Sequence, residues 1–222
     1  MPRYARIVIP EIAHHITQRG NNRQVVFEEN IDYLKYCYWI SKYSALNNLE
    51  ILAYCLMKNH VHFIVIPKNV ESISRTFQLT HMRHAQYMHQ KRGSSGHLWQ
   101  GRFYSCLLDD RHMYQAVRYV ERNPVRAQSV KDAWEYRWSS AKWHVGSGGK
   151  SSIYLKDATI LSQDNWKEYL SDEDREFEKC LRAKTHKGLA VGDPEFIAEI
   201  ERKTGRVLRS IKPGKNLDGA IK

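Results

Sequence analysis

Residues Leu49–Ile66 read LEILAYCLMKNHVHFIVI, and the way this stretch folds decides the architecture. Two largely apolar runs, Leu49 to Met57 and His60 to Ile66, flank the polar pair Lys58-Asn59, a pattern that predicts a β-hairpin. Along the second strand, residues two apart point the same way. His60 and His62 therefore face one side, while Val61, Phe63 and Val65 face the core. Two neutral imidazoles side by side make half of a divalent-metal site, which needs one or two more ligands from another element. A His-x-His pair on a strand also occurs as plain structure, so the pair alone does not decide the matter.

Working outward, Ile12 to Arg19 alternates as a first strand, with Ile12, His14 and Ile16 on one side and His15, Thr17 and Arg19 on the other, until Gly20-Asn21-Asn22-Arg23 breaks it. Leu34, Tyr38, Ile40 and Tyr43 recur at helical spacing within Ile31 to Leu46, and Asn47-Asn48 ends that helix. Downstream, Ser72 to Arg92 is a long polar-basic helix closed by Gly93-Ser94-Ser95-Gly96. Leu98 to Leu107 is a strand or extended aromatic segment. Asp109 to Arg122 is a helix whose first acidic residues suit its positive N-terminal end and which Pro124 stops. The order strand, helix, hairpin, helix, strand, helix predicts an α+β fold, a ferredoxin-like antiparallel sheet with helices packed on one face.

After the linker Gly146–Ser152 the texture changes to short charged helices. Asp193-Pro194-Glu195 reads as an N-cap with Pro in the first turn, and Gly205 as a C-cap. The chain thus divides into a catalytic-size domain, 1–148, and a mostly helical basic C-terminal extension, 149–222, with a disordered tail from Lys212. Arg202, Lys203, Arg206 and Arg209 of that extension either clamp a partner or solvate a surface helix.

A net charge of +11 and a pI near 9.5 favour a polyanionic partner. Between Ser72 and Leu108 there is no Asp or Glu, while Arg75, Arg83, Lys91, Arg92 and Arg102 interleave with Phe77, Tyr87, Trp99, Phe103 and Tyr104. That mixture suits a nucleic-acid strand with phosphates and bases both exposed; a solvated basic helix beside a core aromatic cluster accounts for it equally. No apolar run is long enough to span a membrane and no targeting pattern is evident, which leads to the expectation of a cytoplasmic protein without a membrane partner. Cys37, Cys55, Cys106 and Cys180 lie far apart and read as reduced core thiols.

The Asp109–Arg122 helix carries the second half of the chemistry. Met113, Ala116, Val117 and Val120 define its buried stripe, and Tyr119 and Asn123, at i and i+4, fall side by side at one edge of it. Tyr114, the nearest competing tyrosine, falls on the opposite side from Asn123. A phenol that attacks a phosphodiester needs in-line placement, activation and a cation at the non-bridging oxygens. His60, His62 and Asn123 could hold that cation and Tyr119 could attack. Taken singly, Tyr119 is also an ordinary amphipathic helix-boundary residue, and Asn123 an ordinary residue before proline.

Four ordered segments resemble one family: His14–Arg23 (HHITQRGNNR), Met57–Phe63 (MKNHVHF), Leu98–Tyr104 (LWQGRFY) and Tyr119–Ala127 (YVERNPVRA), with Trp138-Ser139-Ser140 as a further match. The chain resembles the REP-associated tyrosine transposases, single-tyrosine HUH enzymes of the IS200-like class, over residues 1 to about 145. The resemblance implies the HUH endonuclease fold and a divalent metal, Mg²⁺ or Mn²⁺, on His60, His62 and Asn123. It also implies a 5′-phosphotyrosine link on Tyr119, and as partner single-stranded DNA near hairpins of repetitive extragenic palindromes (REP). Arg19, Arg23, Arg83, Arg102 and Arg126 are the expected DNA contacts, and a homodimer is compatible with the family.

Three rivals remain at this level. A metal-dependent phosphoesterase would use His60 and His62 with a bound water, and a domesticated, non-catalytic protein would only bind hairpin DNA. A structural or ribosome-associated basic protein explains the charge but not the pairing of Tyr119 with Asn123.

Overall fold

β2 (Leu49–Met57) and β3 (His60–Pro67) form the expected hairpin, with Met57 opposite His60 across the Lys58-Asn59 turn. The computed structural model describes residues 6–147, 151–156 and 165–209; the tail read as disordered from Lys212 lies outside them. β1 (Ala13–Arg19) runs antiparallel between β3 and β4 (Tyr104–Leu108), and β5 (Ala190–Val191) joins β4 in parallel, giving the order β2-β3-β1-β4-β5. The sheet is antiparallel over four strands, and the C-terminal region supplies its one parallel edge. The register sets Thr17 opposite both His62 and Tyr104, and Arg19 opposite His60.

The α+β class holds, but helices cover both faces of the sheet instead of one. α1 (Asn30–Leu46) and α2 (Ser72–Arg92) bury Tyr36, Ile40, Ile73 and Phe77 against Ile16, Val61, Phe63 and Val65. On the opposite face, α3 (Asp110–Glu121) lays Met113, Ala116, Val117 and Val120 over Ala13, Cys55, Ile64 and Cys106. Strand β2 explains the second layer: every residue from Ile51 to Met57 is buried, an apolar run rather than an alternation, as in strands enclosed on both sides. Burying one such aliphatic side chain contributes roughly 1.5–3 kcal/mol.

The short helices α4 (Asn123–Arg126), α5 (Ala141–His144) and α6 (Trp166–Ser171) follow α3. α7 (Arg175–Lys187) then extends the second layer through Leu181, and α8 (Pro194–Thr204) buries Ile200 against Leu107 and Ala190. Asp109 caps α3 by accepting from His112 N at 2.7 Å, and its other oxygen accepts from Asp193 N at 2.9 Å, which ties the start of α8 to the start of α3. Asp193 caps α8, and Gly205 ends it at φ 64°, both as read. Cys37, Cys55 and Cys106 are buried free thiols; Cys180, read as a core thiol, is exposed on α7. Among the described residues no helix is long and apolar enough to cross a membrane.

The far end of α3 is anchored by a buried carboxylate. Glu121 is fully enclosed and accepts from Ser140 Oγ at 2.5 Å, from Trp166 Nε1 at 2.8 Å and from His144 Nδ1. Ser140 belongs to the Trp138-Ser139-Ser140 segment, which docks on β2 through Leu56 N to Trp138 O at 2.9 Å and Ser140 N to Tyr54 O at 3.0 Å. This network fixes the helix turn that carries Tyr119.

Candidate active site

One cavity of about 470 Å³ is lined by His60 and His62 from β3, His15, Thr17 and Arg19 from β1, and Tyr119 from α3. Asn123 and Arg126 from α4, Arg182, Thr185 and His186 from α7, and Tyr104 from β4 also line it. The sheet register and the i, i+4 spacing on α3 and α4 thus bring together the four residues singled out from sequence. The His60 and His62 rings lie 5.0 Å apart, centre to centre, and the Tyr119 ring meets the His62 ring edge-on at 5.6 Å. Among the described residues no carboxylate lines the cavity.

Burial holds both imidazoles neutral. His60 is pushed down to about 4 by burial, with Arg19 and Arg126 adding to the effect, and His62 is held well below the ordinary value by burial, His60 and His15. A neutral ring keeps one lone pair for a cation. For His60 the hydrogen bonds show which one. Asn59 Nδ2 donates to Arg23 O at 3.3 Å, so Asn59 Oδ1 accepts from His60 Nδ1 at 2.7 Å and Nε2 keeps its lone pair. Neither His60 Nε2 nor His62 Nε2 has a hydrogen-bond partner among the described residues.

Asn123 is oriented by the proline after it. Pro124 has no N–H to give to the carbonyl of Val120 four residues back. The Asn123 side chain supplies the missing donor: Nδ2 reaches Val120 O at 3.1 Å and Tyr119 O at 3.0 Å. Its Oδ1 is thereby turned away from the helix, where it accepts from Arg126 Nη2 at 2.5 Å. Pro124, read as a stop, sits in the first turn of α4, which continues directly from α3. Two neutral imidazoles with open Nε2 atoms and an amide oxygen on one cavity fit a divalent cation. Among the described residues no group of three or more His, Cys, Asp or Glu could hold one, so the amide is needed.

Tyr119 is buried, and desolvation raises its pKa above the ordinary phenol value against the opposing pull of Arg126 and Arg182. The phenol is therefore protonated near neutrality and needs further positive charge to become a nucleophile.

Residues 9–123 match the family described as "Transposase IS200 like". The chain belongs to the IS200-like transposase family. No curated protein matches it. The structure of a REP-associated tyrosine transposase bound to a REP hairpin is similar to this IS200-like transposase with a TM-score of 0.57 and 22% identity. The similarity covers 73% of this chain and 96% of that one. A Deinococcus radiodurans protein assigned as a transposase matches at a TM-score of 0.37 and 21% identity, over 55% of this chain and 97% of its own. The first likeness shows that this IS200-like transposase shares the fold of the hairpin-bound protein.

The five arginines expected to meet DNA are placed unequally in this family member. Arg19 and Arg126 line the cavity and Arg102 lines the adjoining clefts, whereas Arg23 is exposed in the turn after β1. Arg83 is exposed on α2, the helix layer on the other face of the sheet. In the acid-free stretch, Lys91 pairs with Asp32, Arg92 with Glu28 and Arg75 with Glu71, so those cations are compensated within the protein. Phe77, Trp99 and Phe103 are core residues beneath α2, the bland alternative for the interleaved aromatics. Sequence reasoning missed the α7 contribution, Glu178, Arg182, Thr185 and His186. Their i, i+4, i+7, i+8 spacing was the available signal.

Proposed function

We propose that this transposase cuts and rejoins single-stranded DNA beside palindromic hairpins through a 5′-phosphotyrosine on Tyr119. The observation that carries this reading is the shared cavity of Tyr119, His60, His62 and Asn123 with three arginines and no carboxylate. Tyr119 Oη attacks the phosphorus, the bond to the 3′ oxygen breaks, and that oxygen leaves as a free 3′-OH after taking up a proton. Attack of a 3′-OH on the phosphotyrosine reverses the step and restores the phenol, so one phosphodiester is exchanged for another with no external energy source.

His60 and His62, with Nε2 open, and Asn123 Oδ1 would hold Mg²⁺ or Mn²⁺. When bound, the ion supplies positive charge to the non-bridging phosphate oxygens and favours the phenolate. Arg19, Arg126 and Arg182 surround the same cavity and suit the flanking phosphates, and Arg23, Arg83 and Arg102 are the remaining candidates for DNA contact. In this reading residues 1–148 form the catalytic domain, and the extension 149–222 closes the site with α7. The hairpin named for the structural neighbour supports a hairpin substrate here.

The test is cleavage of end-labelled single-stranded hairpin DNA with Mg²⁺ or Mn²⁺, with chelator, and by Tyr119→Phe. Cleavage lost in the variant and with chelator is expected. Cleavage that persists in Tyr119→Phe would point to a water-using phosphoesterase, and hairpin binding without any cleavage to a non-catalytic binding protein.

A further inference from the structure

α7 enters the site through a line of buried polar contacts. Thr185 Oγ1 lies 2.7 Å from Leu181 O, 2.8 Å from His15 Nδ1 and 3.1 Å from Cys106 Sγ, and His15 Nε2 lies 3.0 Å from His62 Nδ1. Thr185 and His15 are 1% exposed and His62 5%, so the line is largely shielded from solvent. His15 also stacks on His62, with ring centres 5.2 Å apart and planes 6° from parallel.

The proton directions along this line are determined by its end. A backbone carbonyl only accepts, so the single hydroxyl proton of Thr185 goes to Leu181 O, the back-bond of a threonine within a helix. Thr185 Oγ1 is left with lone pairs alone, and His15 Nδ1 must donate to it. His15 is buried and neither ring partner is a carboxylate, so the ring is neutral and its Nε2 is an acceptor. His62 Nδ1 must then donate to His15 Nε2. The neutral His62 ring keeps its remaining lone pair on Nε2.

We infer that Thr185 is a positioning residue for the metal site, which acts through His15 to hold His62 in the tautomer whose Nε2 can ligate a cation. Metal-binding histidines ordinarily have their second nitrogen fixed by an acceptor in this manner. Here the acceptor is another histidine, and its own tautomer is dictated from α7, outside the residues 9–123 that match the family. The inference rests on the metal reading given above. Without the Thr185 oxygen, His15 Nδ1–H would be buried with no acceptor. His15 would move its proton to Nε2 and donate to His62 Nδ1, and His62 would then carry its proton on Nε2, closing the lone pair that a metal requires.

The experiment uses the full chain, with ¹⁵N-labelled histidine for the metal-free protein and calorimetric titration with Mn²⁺. Wild type should show His62 protonated at Nδ1. Thr185→Val, nearly the same shape without the hydroxyl, should move that proton to Nε2 and weaken Mn²⁺ binding about ten-fold or more. Thr185→Ser should restore both. His62 protonated at Nε2 in wild type would overturn the inference without any variant, and so would Thr185→Val binding Mn²⁺ as tightly as wild type. No Mn²⁺ binding by the wild type would instead overturn the metal reading itself, and the inference with it.

Discussion

The guanidinium of Arg126 lies over the ring of Tyr119, 4.4 Å from ring centre to guanidinium carbon. The same group donates to Asn123 Oδ1 and pairs with Glu178 of α7 at 2.8 Å, so one cation touches Tyr119, Asn123 and α7. Arg126→Met should leave the mostly buried Glu178 carboxylate without its cation, costing about 1–3 kcal/mol in urea unfolding. It should also slow DNA cleavage. Adding Glu178→Gln should recover the stability but not the cleavage rate, and recovery of both would remove Arg126 from the chemistry.

In the proposed site Asn123 has two jobs, and two substitutions separate them. Asn123→Asp keeps an oxygen for the cation but loses the Nδ2 donor that serves Val120 O. It should retain Mn²⁺ binding by calorimetry while losing about 1 kcal/mol of stability. Asn123→Ala should lose both. His60→Ala and His62→Ala should abolish Mn²⁺ binding and leave the fold intact, and undiminished binding in either would exclude the assigned ligand set.

Glu121 is a structural carboxylate, although it lies only two residues from Tyr119. Its three donors, Ser140, His144 and Trp166, tie α5 and α6 to the end of α3. Removing one partner of a buried ionic network costs roughly 3–5 kcal/mol. Glu121→Ala should therefore lower the urea midpoint strongly, and a change too small to measure would contradict the anchoring role.

Stability should fall with acid through buried neutral histidines. His14 and His84 are fully enclosed, each has one ring nitrogen with no partner, and burial pushes both down to about 4 from an ordinary 6.5. Between these values the unfolded chain binds more protons than the folded one, so stability rises with pH across that window and is fully present above it. Each histidine should contribute a loss approaching roughly 1.4 kcal/mol per pH unit as pH drops from 6.5 towards 4. Urea unfolding at several pH values reads the slope, and a flat profile across the window would mean that these rings are protonated in the folded protein.

Much of this was legible in the chain because the decisive signals are local. The Lys58-Asn59 turn, the His-x-His period on β3 and the i, i+4 pair Tyr119 and Asn123 need only strand and helix geometry. What stayed hidden depends on pairings far apart in sequence. His15 faces the site because β1 sits between β3 and β4, an order that alternation along Ile12–Arg19 cannot give. Thr185 reaches the cavity because α7 packs on the second face, and the spacing of polar residues along α7 does not say where that helix docks. The aromatics Phe77, Trp99 and Phe103 left two readings open, since interleaving with arginines looks alike in a base-stacking surface and in a core beneath a basic helix.

The central claim is that Tyr119 becomes covalently joined to DNA. The direct measurement is mass spectrometry of peptides from the protein after reaction with a single-stranded hairpin oligonucleotide and Mn²⁺, followed by nuclease digestion. A phosphonucleotide is expected on the peptide carrying Tyr119, attached through the 5′ phosphate and lost in Tyr119→Phe. Strand cleavage with no modified peptide, or an adduct on another residue, would contradict it.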